Sequence, residues 1–232
     1  MNWEETEISE DRTHHLFKGR PLYAARFVKV LEFHSNGTAA VTNNTGSFHI
    51  DMYGKEKYKN KYDFTWGYYF GRAAVCDSSG AFHISETGES VYSERYEWCG
   101  NYQECISSVR DFSRHYFHID MDGRRIYKES YLYAGDFYEG IAAVRSADGL
   151  FRHIRKDGSE LHTSYCLFLA QYHKGFALAR DSSGWFSIDI YGKAVFEERF
   201  FYLEPFYNGS ALAADNNGNY CIVNTSGQKL LI

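Results

Sequence analysis

The chain of 232 residues has only 2 prolines and 5 cysteines, no long apolar run and no surplus of basic charge, and each shortage removes a class of protein. The cysteines, Cys76, Cys99, Cys105, Cys166 and Cys221, are odd in number and form no C-x-x-C pair, so neither a disulfide framework nor a zinc knuckle is indicated. No stretch approaches the roughly 20 apolar residues that span a bilayer. The first residues, Met1 to Asp11, are acidic where a secretory signal is basic and then apolar. A cytoplasmic chain with no membrane partner is therefore expected. The formal net charge of -5, from 25 basic and 30 acidic side chains, gives no footprint for nucleic acid. Catalytic signatures are missing too: there is no G-x-x-x-x-G-K-[ST], G-x-G-x-x-G, H-E-x-x-H or G-x-S-x-G and no EF-hand loop. No catalytic residue, cofactor or metal is assigned, and an enzyme is the less favoured reading.

Aromatic side chains are abundant, with 20 Tyr, 18 Phe and 4 Trp in a chain that is 44% hydrophobic. That is enough for a sizeable core, and with so little proline the core is built from flat rings, a composition that favours strands. Glycines recur at 19, 54, 88, 123, 158, 192 and 227, at intervals of 34 or 35 residues, which marks a repeat array. Before them lies a strand, A: Phe48-His49-Ile50-Asp51, Phe82-His83-Ile84, Phe117-His118-Ile119-Asp120, His153-Ile154, Phe186-Ser187-Ile188-Asp189 and Tyr220-Cys221-Ile222. After them comes strand B, from Leu22-Tyr23 to Phe27, Tyr58 to Tyr62, Tyr92 to Tyr96, Ile126-Tyr127 to Tyr131, Leu161 to Tyr165 and Phe196 to Phe200. A second ladder, Gly37, Gly71, Gly140, Gly175 and Gly209, with Cys105 in the remaining unit, opens strand C, of which Ala39-Ala40-Val41 is typical. Aromatics upstream of C, such as Phe137, Tyr172 and Phe206, point to a short further strand.

All these segments are short and bounded by Gly, Asn, Asp or Ser, so a many-stranded β protein without helices is expected. Asp51, Asp120 and Asp189, each three residues before a glycine, supply the acceptor and φ-permissive ends of a turn, a structural role. The chain enters with strands B and C but no strand A, and leaves after strand A and the start of strand B at Leu230-Leu231-Ile232. The two fragments complement each other. The expectation is an all-β, six-bladed β-propeller of 34–35-residue repeats closed by pairing of N- and C-terminal strands, with Tyr220 to Val223 completing the blade of Leu22 to Val41. An open β-solenoid is the alternative. Residues 1–12 read as an acidic tail or linker, and 13–232 as a single, monomeric domain.

A strand ending in Ile-Asp, a turn glycine, an aromatic and then F-x-x-G-x-A-x-V together resemble the WG repeat family of bacterial proteins over residues 13 to 232. The Trp-Gly dipeptide itself is missing from its expected place, where Phe48, Phe82, Phe117, Phe186 and Tyr220 stand. The resemblance implies an array module of the kind appended to other domains, enzymatic ones included, and carries over no catalytic residue.

Chemistry is concentrated in one recurrence. His49, His83, His118 and His153 hold the same position in four consecutive units, continued by Ser187 and Cys221. Convergence on an axial channel would let the imidazoles bind a metal, an anion or a carboxylate. Alternatively each makes the same hydrogen bond inside its own unit, copied by duplication, and this is favoured because duplication alone explains the shared position. Arg26, Lys61, Arg95 and Arg199, with Ser130 and Ser164 in the other units, form either a cationic ring for phosphate or acidic peptide or, the favoured reading, a solvated face or repeat-internal pairs with neighbours such as Glu94 and Glu198. Tyr68, Tyr69 and Tyr102 are candidate contact residues on loops, with core packing as the default reading. The cysteines read as small buried hydrophobes. The expected function is a non-catalytic protein- or peptide-binding scaffold, part of or partner to a larger bacterial protein. The alternative is an enzyme or accessory domain with a small-ligand or metal site at the histidines.

Overall fold

The computed structural model describes residues 2–230. Among them the only helical turn is a 3-10 helix at Trp3–Glu5, and no helix is long and apolar enough to cross a membrane. The other regular structure is antiparallel sheet, in seven small sheets each made of consecutive strands. The first comprises Thr6–Ile8, His15–Phe17 and Arg20–Pro21; the second Lys29–Phe33, Thr38–Asn43 and Gly46–Asp51; the third Phe64–Tyr69, Arg72–Asp77 and Gly80–Ile84. The fourth comprises Trp98–Cys99, Ser107–Arg110 and Tyr116–Ile119; the fifth Tyr133–Ala134, Ile141–Arg145 and Phe151–Arg155; the sixth Phe168–Leu169, Phe176–Asp181 and Gly184–Asp189. The seventh has Tyr202–Leu203, Ser210–Ala214, Tyr220–Asn224 and Lys229–Leu230.

Strands C and A form the central hairpin of each unit, as in the pairing of Ala39 with Ile50 and Val41 with Phe48. The Ala-Ala-Val run of strand C is fully buried and small, which lets aromatic rings pack over it. At the start of strand C the chain turns through two residues of positive φ, as at Phe70-Gly71, Glu139-Gly140, Lys174-Gly175 and Asn208-Gly209. These are the left-handed pairs that suit a tight hairpin. Cys105 holds the second of them at φ 63°, a conformation glycine adopts without strain.

Several expectations are corrected. The sheets number seven, not six. A strand A exists in the first unit at His15–Phe17, pairing with Thr6–Ile8, so residues within 1–12 belong to the first sheet and not to a tail. The repeat there is one residue shorter than its neighbours between histidine and tyrosine, which hid it. Tyr220–Asn224 pairs with Ser210–Ala214 and Lys229–Leu230, not with the segment Leu22 to Val41. In the second to sixth sheets strand B touches strand A only at isolated bridges, such as Ile50 to Glu56 and Ser47 to Tyr62, because a turn carrying the tyrosine ring inward separates them. The chain divides into two compact units, one up to Arg114 with His118–Arg125, the other His115–Phe117 with Ile126 onward. In the first unit Tyr23, Val30, Phe33, Ala39, Val41, Phe48 and Ile50 form a core cluster against which Trp3 and Ile8 pack. In the second, one cluster centres on Leu169, Tyr172, Phe186 and Ile188 and another on Phe200, Leu203, Phe206 and Val223.

Candidate functional site

Histidines tie the first, second and third sheets each to the next with the same parts. His49, on the second sheet, meets the Tyr58 hydroxyl at Nδ1 (2.5 Å) and the Trp66 carbonyl, on the third, at Nε2 (2.7 Å). His83 repeats this with Tyr92 (2.5 Å) and Gly100 (2.8 Å), and His15 with Tyr23 (2.5 Å) and Leu31 (2.8 Å). A carbonyl only accepts, so Nε2 carries the proton and the phenol donates to Nδ1. Each ring also lies on an aromatic, His49 on Tyr68, His83 on Tyr102 and His15 on Phe33, with centroids 4.3 to 4.6 Å apart. Desolvation pulls the pKa of His49, His83 and His153 down to about 4, and the carbonyl contact offsets only part of that shift.

The unit of His153 varies the scheme. His162 replaces the tyrosine, its Nε2 lying 3.2 Å from His153 Nδ1 and 3.1 Å from the Tyr172 hydroxyl, while its Nδ1 accepts from the Ser164 amide. Tyr172 donates to the Asp189 carbonyl, so a single tautomer, His162 protonated on Nε2, satisfies all the contacts. In the sixth sheet Ser187 stands where the histidine would be and Phe196 where its phenol partner would be. The hydroxyl is lost together with the imidazole it served. Neither ring nitrogen of His49, His83 or His153 is open to a ligand, and His118 is equally buried. Among the described residues no group of three or more His, Cys, Asp or Glu is placed to hold a metal.

The cationic recurrence is likewise turned inward on its own unit. Lys61 lies 3.5 Å over Phe48, and Arg95 and Arg199 lie 3.7 Å over Phe82 and Phe186. Arg26 donates to the carbonyls of Tyr23, Ala24 and Ala25. In the fifth sheet the partners are exchanged: Arg152 takes the phenylalanine's position and Tyr165, rather than the expected Ser164, the cation's, since Cys166 bridges to Phe151 as Tyr62 does to Ser47; the two meet at 4.4 Å. A swap that preserves the contact identifies it as packing. Tyr68 and Tyr102 are buried, donating to the Ser85 and Asp120 carbonyls, so neither is a contact residue; Tyr69 packs against His34 at 4.9 Å. Cys99, Cys166 and Cys221 are buried as expected, but Cys76 is half-buried and Cys105 is exposed at its hairpin tip. Asp51, Asp120 and Asp189 each accept two backbone amides in their turns.

A surface that the sequence reading missed lies in the second unit. The dipeptides Leu132-Tyr133, Leu167-Phe168 and Phe201-Tyr202 recur where the fifth, sixth and seventh sheets begin, and all six side chains are exposed, Phe201 at 70%. Tyr133 pairs across to Arg145 and Arg145 to Phe151; Phe168 pairs to Arg180 and Arg180 to Trp185. Directly opposed residues share a face, so the fifth and sixth sheets each present an aromatic, arginine, aromatic row. The rings run on from row to row, Tyr116 to Tyr133, Phe151, Phe168 and Trp185, with successive centroids 5.4 to 6.1 Å apart. Between the fifth and sixth sheets Gly135, Ala143 and Ala170 leave a groove of about 530 Å³ walled by Tyr133, Phe151 and Phe168. In the first unit the matching cleft beside Leu31 and Phe64 holds about 10 Å³. The signal was in the sequence, in aromatics at 98, 133, 168 and 202 and arginines at 110, 145 and 180. It was masked by the stronger glycine ladders.

No protein-family profile matches this chain, and no curated protein matches it in sequence. Similarity appears at the level of solved structures. The computationally designed Ika8 protein matches with a TM-score of 0.53 at 13% identity, covering 94% of this chain and 80% of its own. BamB from Moraxella catarrhalis matches with a TM-score of 0.53 at 12% identity, covering 91% and 76%. Kluyveromyces lactis Hsv2, with its loop 6CD replaced by a Gly-Ser linker, gives 0.50 at 6% identity, covering 88% and 80%. At these identities the likeness concerns fold alone, and that fold is the β-propeller.

Proposed function

We propose that this chain is a non-catalytic protein- or peptide-binding module, of WG-repeat kinship, whose contact surface is the face formed by the fifth to seventh sheets. The observation that carries the reading is the run of exposed apolar dipeptides Leu132-Tyr133, Leu167-Phe168 and Phe201-Tyr202. A contiguous apolar patch with aromatic and arginine side chains is the composition of an interaction surface. The engaged nitrogens of the histidine ladder weigh against the alternative of a small-ligand or metal site there.

The test is a comparative capture. Tagged wild-type chain is used beside a Phe168→Ser, Phe201→Ser, Tyr202→Ser variant and a control with Tyr53→Ser and Tyr191→Ser, exposed tyrosines outside the patch. Recovered proteins are quantified by mass spectrometry and the best candidate is rebuilt from purified components. A partner retained by wild type and control but lost by the triple variant is expected. A partner set identical for all three overturns the assignment of this face.

A further inference from the structure

The fourth sheet shows what its arginine is built to meet. Glu97 donates its amide to the Arg110 carbonyl, and its carboxylate lies 3.0 Å from Arg110 Nε, an ionic contact beside Trp98. The backbone repeats one and two units on, with the Leu132 amide donating to the Arg145 carbonyl and the Leu167 amide to the Arg180 carbonyl, both at 2.8 Å. Leucine stands where the acid stood. Arg145 retains a bond to the Gly149 carbonyl and a position 6.0 Å over Phe151, and Arg180 lies 5.4 Å over Trp185. Among the described residues neither pairs with a carboxylate. Two exposed guanidinium groups thus flank the apolar groove without the anion that the neighbouring unit supplies.

We propose that this face binds an acidic peptide segment bearing apolar side chains, whose carboxylates take at Arg145 and Arg180 the place that Glu97 takes at Arg110. The proposal deepens the binding-module reading and rests on it. The apolar side chains enter the groove of Tyr133, Phe151 and Phe168, and the carboxylates face arginines held over aromatic rings, in fork geometry suited to two-oxygen acceptors. Asp136, two residues past the end of the Tyr133–Ala134 strand, opens onto the same groove. It gives the groove a polarity, with acidic side chains bound at one end and a donor such as a peptide amide at the other. Carboxylate is favoured over phosphate because Glu97 shows the acceptor that this geometry holds. Two arginines also make too short a track for a nucleic-acid backbone.

The probe is a fluorescein-labelled eight-residue peptide alternating glutamate and phenylalanine, compared with its glutamine counterpart and a labelled oligothymidine, by anisotropy on the full chain. The glutamate peptide is expected to bind at least tenfold tighter than the glutamine peptide. Arg145→Gln with Arg180→Gln is expected to remove that preference. So is Leu132→Glu with Leu167→Glu, which supplies the acid in cis, while Arg110→Gln leaves it unchanged. Thermal melts confirm that the variants fold. Equal binding of both peptides, no binding of either, or tighter binding of oligothymidine overturns the acidic-peptide proposal. Any of these outcomes, beside a partner lost by the triple serine variant, would leave the binding module standing and only its ligand chemistry refuted. Loss of concentration-dependent self-association in the same triple variant would identify the occupant as a second copy of this chain and would also overturn the proposal.

Discussion

The third and sixth sheets are built on the same repeat, and they differ in where their polar groups are used. In the third, His83 is saturated by Tyr92 and Gly100. In the sixth, Ser187 and Phe196 replace that pair, while Leu167, Phe168, Arg180 and Trp185 stand at the surface around a groove. One unit spends its side chains on joining its neighbours, and the other leaves a set of them unpartnered. Duplication copies a scaffold whose ties are redundant, so some units can lose a tie and gain a surface without loss of the fold.

The largest expected effect sharpens this contrast. His83→Ala removes a fully buried ring and strands the Tyr92 hydroxyl and the Gly100 carbonyl, so a loss of roughly 3 kcal/mol or more is expected in urea unfolding. Ser187→Ala, at the same repeat position, is expected to cost under about 1 kcal/mol. Equal losses would break the comparison.

Next comes pH. The folded pKa near 4 of His49, His83 and His153 lies below the ordinary 6.5, so between those values the unfolded chain binds protons that the folded chain refuses. Stability is therefore full above about pH 6.5 and falls as pH drops toward 4, by on the order of 1 kcal/mol per pH unit for each histidine. His83→Ala is expected to flatten that slope in a pH series of urea midpoints, and an unchanged slope would contradict the assignment of neutral imidazoles.

Two glycine classes separate in the same way. A Cβ at Gly88 would sit 2.3 Å from the Tyr58 ring, with φ +79°, whereas one at Gly140, with φ +77°, meets nothing within 4 Å. Gly88→Ala is expected to cost about 2 kcal/mol or more through overpacking, and Gly140→Ala only about 1 through backbone strain. Cys105→Gly relieves that strain and is expected to gain up to about 1 kcal/mol, read as a higher melting temperature. The smallest effect is at the exchanged pair. Arg152→Phe and Tyr165→Arg are each expected to destabilise, and the double variant to recover about 0.5 to 1 kcal/mol of coupling in a double-mutant cycle.

Much of this was legible in the chain. The glycine ladders and the Ala-Ala-Val runs located strands A and C, and the recurring Asp-x-x-Gly located the turns. Strand B was overread because Tyr58 and Tyr62 suggest a strand face, while Tyr58 in fact turns inward to His49. The first strand A was lost because His15 and Tyr23 are spaced one residue closer than His49 and Tyr58, and with it the count of sheets. The histidines were seen, but their partners could not be, since Nε2 reaches a carbonyl in the next sheet that no local pattern announces. The exposed aromatic face went unseen because periodicity reports what repeats, and that face depends on Leu132 and Leu167 departing from Glu97.

The central claim is that one region of a repetitive scaffold has been released for contact. A photo-crosslinking amino acid placed at Phe168, and separately at its exposed counterpart Phe64 in the third sheet, tests it in the cells that make the protein. The account expects a discrete crosslinked partner from Phe168 and none from Phe64. Crosslinks of equal yield and identity from both positions, or from Phe64 alone, would contradict it.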